Sequence, residues 1–207
     1  MPWRKVSALV IPRLSLYYRA LCEVKEEKAI SSEELAKLTH TNAAQVRKDL
    51  TYFGRFGAPG KGYTIERLKK RLLNILGTNK IWNVAIVGVG NLGSALLAYK
   101  GFSRQGFNIV AAFDHDLRKL GKIWDGIEIQ DISEVKDTLK KRDIQMAIVA
   151  VSADNAQRVV DLLVKSGIRA ILNFAPIRPK VPTNIELVNI DLSIELERLA
   201  HFLRRTR

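Results

Sequence analysis

Three glycines, at positions 88, 90 and 93, carry the clearest chemical consequence in this sequence. They stand in VAIVGVGNLGSALLAY, residues 84–99, between an apolar run with the character of a strand and a continuation with helical periodicity. Strand, tight turn and helix start in that order form a cradle for a pyrophosphate. Backbone amides at the helix start point at the anion, and glycine lets it approach. Gly88, Gly90, Asn91, Leu92 and Gly93 are therefore candidate cofactor-binding residues. A glycine triplet alone is a weak signal, since such turns occur in many folds. The context strengthens it: NIVAAFDHD makes a second apolar strand ending at Asp114, 21 residues beyond Gly93. A carboxylate there can accept both ribose hydroxyls of an adenosine and repels a 2′-phosphate, which favours NAD(H) over NADP(H). Arg118 and Lys119, close behind it, temper that preference.

A second set of residues has the types that read DNA. In TNAAQVRKDLTYFG, Thr41 or Asn42 can cap a helix whose Ala43, Val46, Leu50 and Phe53 share one face, with Gly54 closing it in the left-handed conformation. Ala44, Lys48 and Thr51 lie opposite, flanked by Gln45 and Arg47. Gln pairs with adenine, Arg and Lys with guanine or phosphate, Thr with phosphate or a thymine methyl, and a small Ala permits close approach. A solvated polar face would look the same on an isolated helix. This one follows SSEELAKLTH, where Ser31 and Glu34 form a capping box, and precedes GRFGAPGKGY, whose Gly54, Gly57, Gly60, Gly62 and Pro59 demand a reversal. Phe56 and Tyr63 can anchor the two arms of that hairpin, leaving Arg55 and Lys61 to meet phosphate or a narrow minor groove. Helix, turn, reading helix and basic hairpin make a winged helix. Its candidate DNA-binding residues are Asn42, Ala44, Gln45, Arg47, Lys48, Thr51, Tyr52, Arg55 and Lys61.

These sites need scaffolds, and the chain has room for two. Its 207 residues are 47% hydrophobic, enough to bury substantial cores. A first helix follows Pro12 with Leu14, Tyr17, Leu21 and Val24 at helical spacing; another runs from Thr64 through Ile65, Leu68, Leu72 and Ile75 and stops at Gly77. Beyond the polar GTNK at 77–80, strands and helices alternate through GIEI, SEVKDTLKKR, IQMAIVAVS, AQRVVDLLVKSG, IRAILNFAP and ELVNIDL, ending in the helix SIELERLAHFLRRTR. The expected architecture is α/β: an N-terminal winged helix-turn-helix over 1–78, a Rossmann-like doubly wound parallel sheet of about six strands over 79–190, and a C-terminal helix over 191–207. Ligands in such sheets lie across the carboxyl ends of the strands, adding Val151, Ser152, Asn173, Phe174, Ala175 and Pro176 as candidate pocket residues.

Charge divides in the same place. Residues 1–80 hold 16 Lys+Arg against 7 Asp+Glu, or +9, while residues 81–207 hold 18 against 14, or +4. Polyanion binding belongs to the front. Cys22 is the single cysteine, expected as a small buried hydrophobe, so disulfides within the chain and cysteine-based metal sites are excluded. No metal site and no catalytic residue is expected. The N-terminus does not read as a signal peptide, and no apolar run of about eighteen residues occurs. A cytoplasmic protein is expected, without membrane contact.

A dehydrogenase also needs a lobe to hold substrate and an acid or base beside the nicotinamide, and neither is legible. His40, His115 and His201 suit turns and surfaces. A cofactor site without a substrate site can still sense, because NAD⁺ and NADH differ by a hydride and a positive charge. The alternative is a small NAD-dependent oxidoreductase or a subunit of one, with a basic docking domain.

The segments IPRLSLYYR, NAAQVRKDLTYFGRFGAPGKGY, GVGNLGSALLAY, FDHD, AQRVVDLLVKSGIRAILNFAP and NIDLSIELERLAHFL resemble the Rex family of redox-sensing transcriptional repressors over nearly the whole chain. The resemblance implies a homodimer whose winged helices bind a palindromic operator, released by NADH, with NAD⁺ compatible with or favouring binding. It implies major-groove roles for Arg47 and Lys48 and a wing-tip role for Lys61. Tyr99 and Phe102 match residues that approach the nicotinamide. Arg13 and Asp191 match a switching ion pair, and the C-terminal helix one that is exchanged between subunits. His115 stands where the family usually has an apolar residue.

Overall fold

The computed structural model describes residues 7, 9–24, 28–57 and 62–205. The chain divides into two compact units between Lys80 and Ile81.

The first unit begins with α1 (Val10–Glu23), which places Leu14, Tyr17 and Leu21 in the core. Pro12 lies inside the first turn of α1 rather than ahead of it, where its missing N–H costs no helical bond. Cys22 is exposed, because Leu14, Tyr17 and Leu21 already fill the inward stripe and its neighbour turns about 100° away. β1 (Ala29–Ile30) leads into α2 (Ser32–Leu38), whose capping box is complete: the Ser31 hydroxyl accepts from the Glu34 amide at 3.1 Å and the Ser31 amide donates to Glu34 at 2.7 Å. His40 takes a left-handed φ of 49° in the turn that follows.

Asn42, not Thr41, caps α3 (Ala43–Thr51), accepting from the Gln45 amide at 2.8 Å. Phe53 lies beyond the helix yet is still buried, and Gly54 turns the chain with φ +101°. β2 (Tyr63–Thr64) pairs antiparallel with β1, and α4 (Ile65–Leu76) follows until Gly77 ends it with φ +71°. Val46 and Leu50 of α3 pack with α1 and with Leu68 and Leu72 of α4 in one cluster.

In the second unit the elements are β3 (Trp82–Val87), α5 (Asn91–Leu97), α6 (Gly101–Arg104), β4 (Phe107–Asp114), β5 (Ile123–Trp124), β6 (Ile127–Asp131), α7 (Val135–Lys141), β7 (Met146–Val149), α8 (Ala153–Lys165), β8 (Ala170–Asn173), β9 (Glu186–Asn189) and α9 (Leu192–Arg205). They form a seven-stranded sheet in the order β5-β6-β4-β3-β7-β8-β9. Every ladder is parallel except β5 with β6. That extra edge strand goes beyond the six expected. It is made by the Asp125–Gly126 turn, whose φ values of 49° and 80° suit a two-residue hairpin.

Period two explains the two layers. Ala85, Val87, Phe113 and Val149 face one apolar cluster with Leu139 and Leu163, while Val84, Ile86 and Ala112 face the other with Leu97. Sheet order reverses between β3 and β7, and the crevice at their carboxyl ends is where such folds place a ligand. No described residue of α9 is buried: Leu192, Leu196, Leu199 and Leu203 are exposed. Among the described residues no helix is long and apolar enough to cross a membrane.

Candidate nucleotide cleft and nucleic-acid face

The three glycines of the turn after β3 have three separate reasons to be glycine. Gly88 has φ +91°, and a Cβ there would lie 2.5 Å from the Ala150 carbonyl oxygen. A Cβ on Gly93 would lie 1.8 Å from the Gly88 carbonyl oxygen, so α5 could not pack so close to the turn. Gly90 is different: a Cβ would meet nothing within 4 Å. It caps α5 without a side-chain hydrogen bond and opens onto free space, with Asn91 and Leu92 exposed beside it. These are the conditions for a phosphate to approach the backbone.

A cavity of about 180 Å³ lies beside this turn. Gly88, Asp114 and Val151 line it, joined by His115, Asn155 and Arg158, which sequence reasoning had not placed there. Asn155 and Arg158 come from the first turns of α8. Periodicity identified that helix but not which of its polar residues reach the cleft. Apolar Ile132, Val159 and Leu162 complete a wall suited to a flat ring. The donor set and the open Gly90 fit a dinucleotide: Gly88 to Gly93 for the pyrophosphate, Asp114 and its neighbours for the adenosine ribose.

Asp114 does not hold an open carboxylate. It is 4% exposed and accepts from the amides of Val89, His115 and Asp116 and from the Lys119 ammonium, the last at 2.7 Å. Burial pushes its carboxyl up, but Lys119 and the amides outweigh burial and leave it below the ordinary carboxylate range. Arg118 is held elsewhere, forked onto Asp116 with both contacts at 2.9 Å.

The other predicted pocket residues are spread more widely. Ser152 caps α8 at its backbone, and its hydroxyl accepts from Asn155 at 3.0 Å. Asn173 is a correction: it is fully buried, its two amide N–H groups shared among the Ala175 and Ile177 carbonyls and the Asn189 side-chain oxygen, while its own oxygen accepts from the Ala175 amide. These bonds lock the loop after β8 and bury the side chain away from the cavity lining. Phe174 packs in the sheet's apolar layer, Ala175 is buried and Pro176 is exposed; none of the four lines the cavity. Tyr99 is 60% exposed and meets Phe102 edge to face at 5.1 Å. The Tyr99 ring lies over Gly101, and a Cβ there would push the ring aside.

On the front unit, α3 exposes Ala44, Arg47, Lys48 and Thr51 along one side, with Asn42 and Tyr52 at its ends. Two expected readers have partners already. Gln45 donates its amide to Asp49 at 2.6 Å, and Arg47 donates to Ser32 at 2.8 Å and Glu33 at 2.9 Å. The Arg47–Glu33 pair is more than half exposed on both sides, so solvent screens it and a phosphate can compete. The Thr51 hydroxyl donates to the Arg47 carbonyl at 2.7 Å. Arg55 is exposed, and its carbonyl accepts from Arg71 of α4, which also donates to the Phe53 carbonyl and stacks 3.9 Å from the Phe56 ring centroid. Arg71 thus holds the segment from Phe53 to Phe56, a role no local signal announced. Lys61 lies outside the described residues.

Arg13 also has a partner other than the expected one. Its guanidinium forks onto Asp49 at 2.6 and 2.7 Å, and Asp49 further accepts from the Tyr17 hydroxyl at 2.9 Å and from Gln45. The buried acid of α3 is therefore tied to α1. Burial pushes the Asp49 carboxyl up, yet the donors from Arg13, Tyr17 and Gln45 bring it below its ordinary range. Burial and the neighbouring carboxylate push the Tyr17 hydroxyl up to about 12. Asp191 accepts from the Ser193 amide at 2.9 Å at the start of α9.

Comparison with known proteins fits both halves. The family model for a CoA binding domain matches residues 79–177, and one for a DNA-binding protein N-terminus matches residues 5–51. The redox-sensing transcriptional repressor Rex of Syntrophobacter fumaroxidans is 43% identical over 206 residues, covering 98% of each chain. That of Chloroflexus aurantiacus is 44% identical over 199 residues, 95% of this chain and 94% of the relative. Among solved structures, RSP in complex with beta-NAD+ and operator DNA matches with TM-score 0.92 at 40% identity, over 97% of this chain and 94% of that one. RSP in complex with beta-NADH matches with TM-score 0.86 at 39% identity, over 98% and 96%. Such identity over nearly the whole length, on a shared fold, places the chain in the Rex family of redox-sensing transcriptional repressors.

Proposed function

We propose that this chain is a homodimeric repressor that binds a palindromic operator and leaves it when NADH occupies the cleft beside Gly88–Gly93. The observation carrying this reading is the glycine turn. Gly88 and Gly93 are required by packing, whereas a Cβ on Gly90 would meet nothing within 4 Å, so its backbone at the start of α5 is open to a ligand. Family membership adds the ligand and the partner: RSP, which shares the fold, has been described with NAD⁺, NADH and operator DNA. CoA and NAD(H) both carry an adenosine diphosphate half, so the CoA-binding family match agrees with either at the glycine turn.

The bound nicotinamide supplies a change of charge and pucker between its oxidised and reduced forms, and no chemistry is asked of the chain. Gly88 to Gly93 hold the pyrophosphate, and Asp114 with its neighbours orients the adenosine. Tyr99 and Phe102 serve the nicotinamide end. Ala44, Arg47, Lys48 and Thr51 enter the major groove while Asn42, Tyr52, Arg55 and Lys61 hold phosphate or the minor groove. Reading DNA requires Arg47 to leave Glu33, an exchange of one exposed anion for another. Residues 191–207 act as a dimerisation helix exchanged between subunits, which would cover the apolar side that α9 exposes. Arg13 and Asp191 are the proposed switch residues. Moving a repressor from mostly bound to mostly free takes about 5.5 kcal/mol of differential binding, which two sites per dimer share. The working compartment is the cytoplasm. Membership of a repressor family stands against the oxidoreductase alternative.

The test is fluorescence anisotropy of a labelled palindrome from the protein's own upstream region, at fixed salt, with NADH, NAD⁺, NADPH or CoA added to the complex. Release by NADH and not by CoA is expected. A complex indifferent to every nucleotide refutes the sensing half of the reading.

A further inference from the structure

Both oxygens of Asp114 are filled. Oδ2 accepts from the Val89 amide at 2.8 Å and from the Lys119 ammonium at 2.7 Å, and Oδ1 from the amides of His115 at 2.8 Å and Asp116 at 3.0 Å. A carboxylate offers about four lone-pair sites, and these four donors take them. While Lys119 stays, a ribose hydroxyl finds no acceptor on this side chain. Three of the donors are backbone amides fixed by the glycine turn and by the chain leaving β4. Lys119 is the donor on a flexible stem; its side chain is 32% exposed, and its ammonium has N–H groups to spare. Arg118 is engaged elsewhere, forked onto Asp116. Arg158 adds a second cation to the wall of the same cavity.

We propose that Lys119 is the specificity-determining residue at the adenosine end: it shields Asp114 and itself meets the 2′-position of the nucleotide. The proposal rests on the reading that the cleft takes NAD(H). It makes the preference for NADH over NADPH a property of the Lys119–Asp114 pair rather than of the acid alone. With the ammonium in place a 2′-phosphate meets a cation before it meets the carboxylate, so discrimination is blunted. With it removed, Asp114 has one vacant lone-pair site and has lost its ammonium partner. A 2′-hydroxyl donates to that site, and a 2′-phosphate is repelled.

The experiment is calorimetric titration of the full-length protein with NADH and with NADPH at fixed salt, for wild type, Lys119→Ala, Lys119→Met and Lys119→Arg. Lys119→Met keeps the apolar stem, so loss of packing is separated from loss of charge. The ratio Kd(NADPH)/Kd(NADH) rises about tenfold in Lys119→Ala and Lys119→Met while NADH binding stays within about fivefold, and Lys119→Arg keeps the wild-type ratio. An unchanged ratio overturns the proposal, because Lys119 then swings clear or only steadies the loop; equal weakening of both nucleotides overturns it too. Wild type that binds neither nucleotide refutes the NAD(H) reading itself, a different and separately visible failure.

Discussion

Replacing Asp49 by Ala tests the account of the front unit most severely. Asp49 is fully buried and receives two donors from Arg13, one from Tyr17 and one from Gln45, so one substitution strands donors on both α1 and α3. Removing one partner of a buried ion pair costs about 3–5 kcal/mol. The Arg13 side chain is 26% exposed and recovers some water, which puts the cost near the lower end, about 3 kcal/mol. The buried Tyr17 hydroxyl loses its carboxylate acceptor and is left beside the Thr41 hydroxyl, which accounts for about 1 kcal/mol of that total. The opening equilibrium of α1 and α3 should therefore rise about a hundredfold. Amide hydrogen exchange on the full-length protein measures it element by element, which suits a chain of two units where a single melting curve would mix them. Protection should fall about a hundredfold in α1 and α3 and stay unchanged in β3, β4 and β7. The double substitution Asp49→Ala with Arg13→Met should recover part of the loss, since no charge is then left stranded. A loss below about threefold, or equal losses in both units, would refute the assignment of Asp49 as the tie between the first helix and the reading helix.

Further outcomes are expected. The same network sets a pH window: the Asp49 carboxyl is lowered on folding, so its contribution is full above the ordinary carboxylate range and fades as pH falls through the lowered value; Tyr17, raised to about 12, contributes fully below its ordinary value of 10.0 and loses this as pH climbs toward about 12. Exchange protection of α1 across acid and alkaline series checks both limbs. Gly90→Ala should leave the melting temperature within about 2 °C, since its Cβ meets nothing, yet weaken NADH about tenfold or more by filling the phosphate's approach. Retained affinity would refute that approach. Lys48→Ala should lower the slope of log K against log salt for operator binding by about one if the ammonium meets phosphate, and leave the slope intact while relaxing base preference if it reads a guanine. Leu199→Glu on the exposed side of α9 should shift sedimentation from dimer toward monomer, with at least about tenfold weaker self-association, whereas an unchanged dimer would place the interface elsewhere.

Local rules made much of this protein legible. The Ser31–Glu34 box, the left-handed stop at Gly77 and the strand–turn–helix at Gly88–Gly93 depend on residues a few positions apart, so spacing alone identifies them, while it left the cap of α3 open between Thr41 and Asn42. The β5–β6 hairpin was equally local: Asp125–Gly126 between apolar pairs is a two-residue turn signal, and its flanking strands are merely too short for periodicity to show. Side-chain partnership was not legible. Arg13 and Asp49 lie 36 positions apart, Arg71 and Phe53 eighteen, and Asn173 and Asn189 sixteen. Asp114 shows the limit within a recognised motif. The sequence determined that an acid ends β4 beside a glycine turn. Only the fold decided that the Val89 amide would return to it, that Arg118 would be diverted to Asp116, and that Lys119 would cover it. A carboxylate's availability depends on every donor within about 3 Å, and the donors around this one come from two strand ends brought together by β3–β4 pairing.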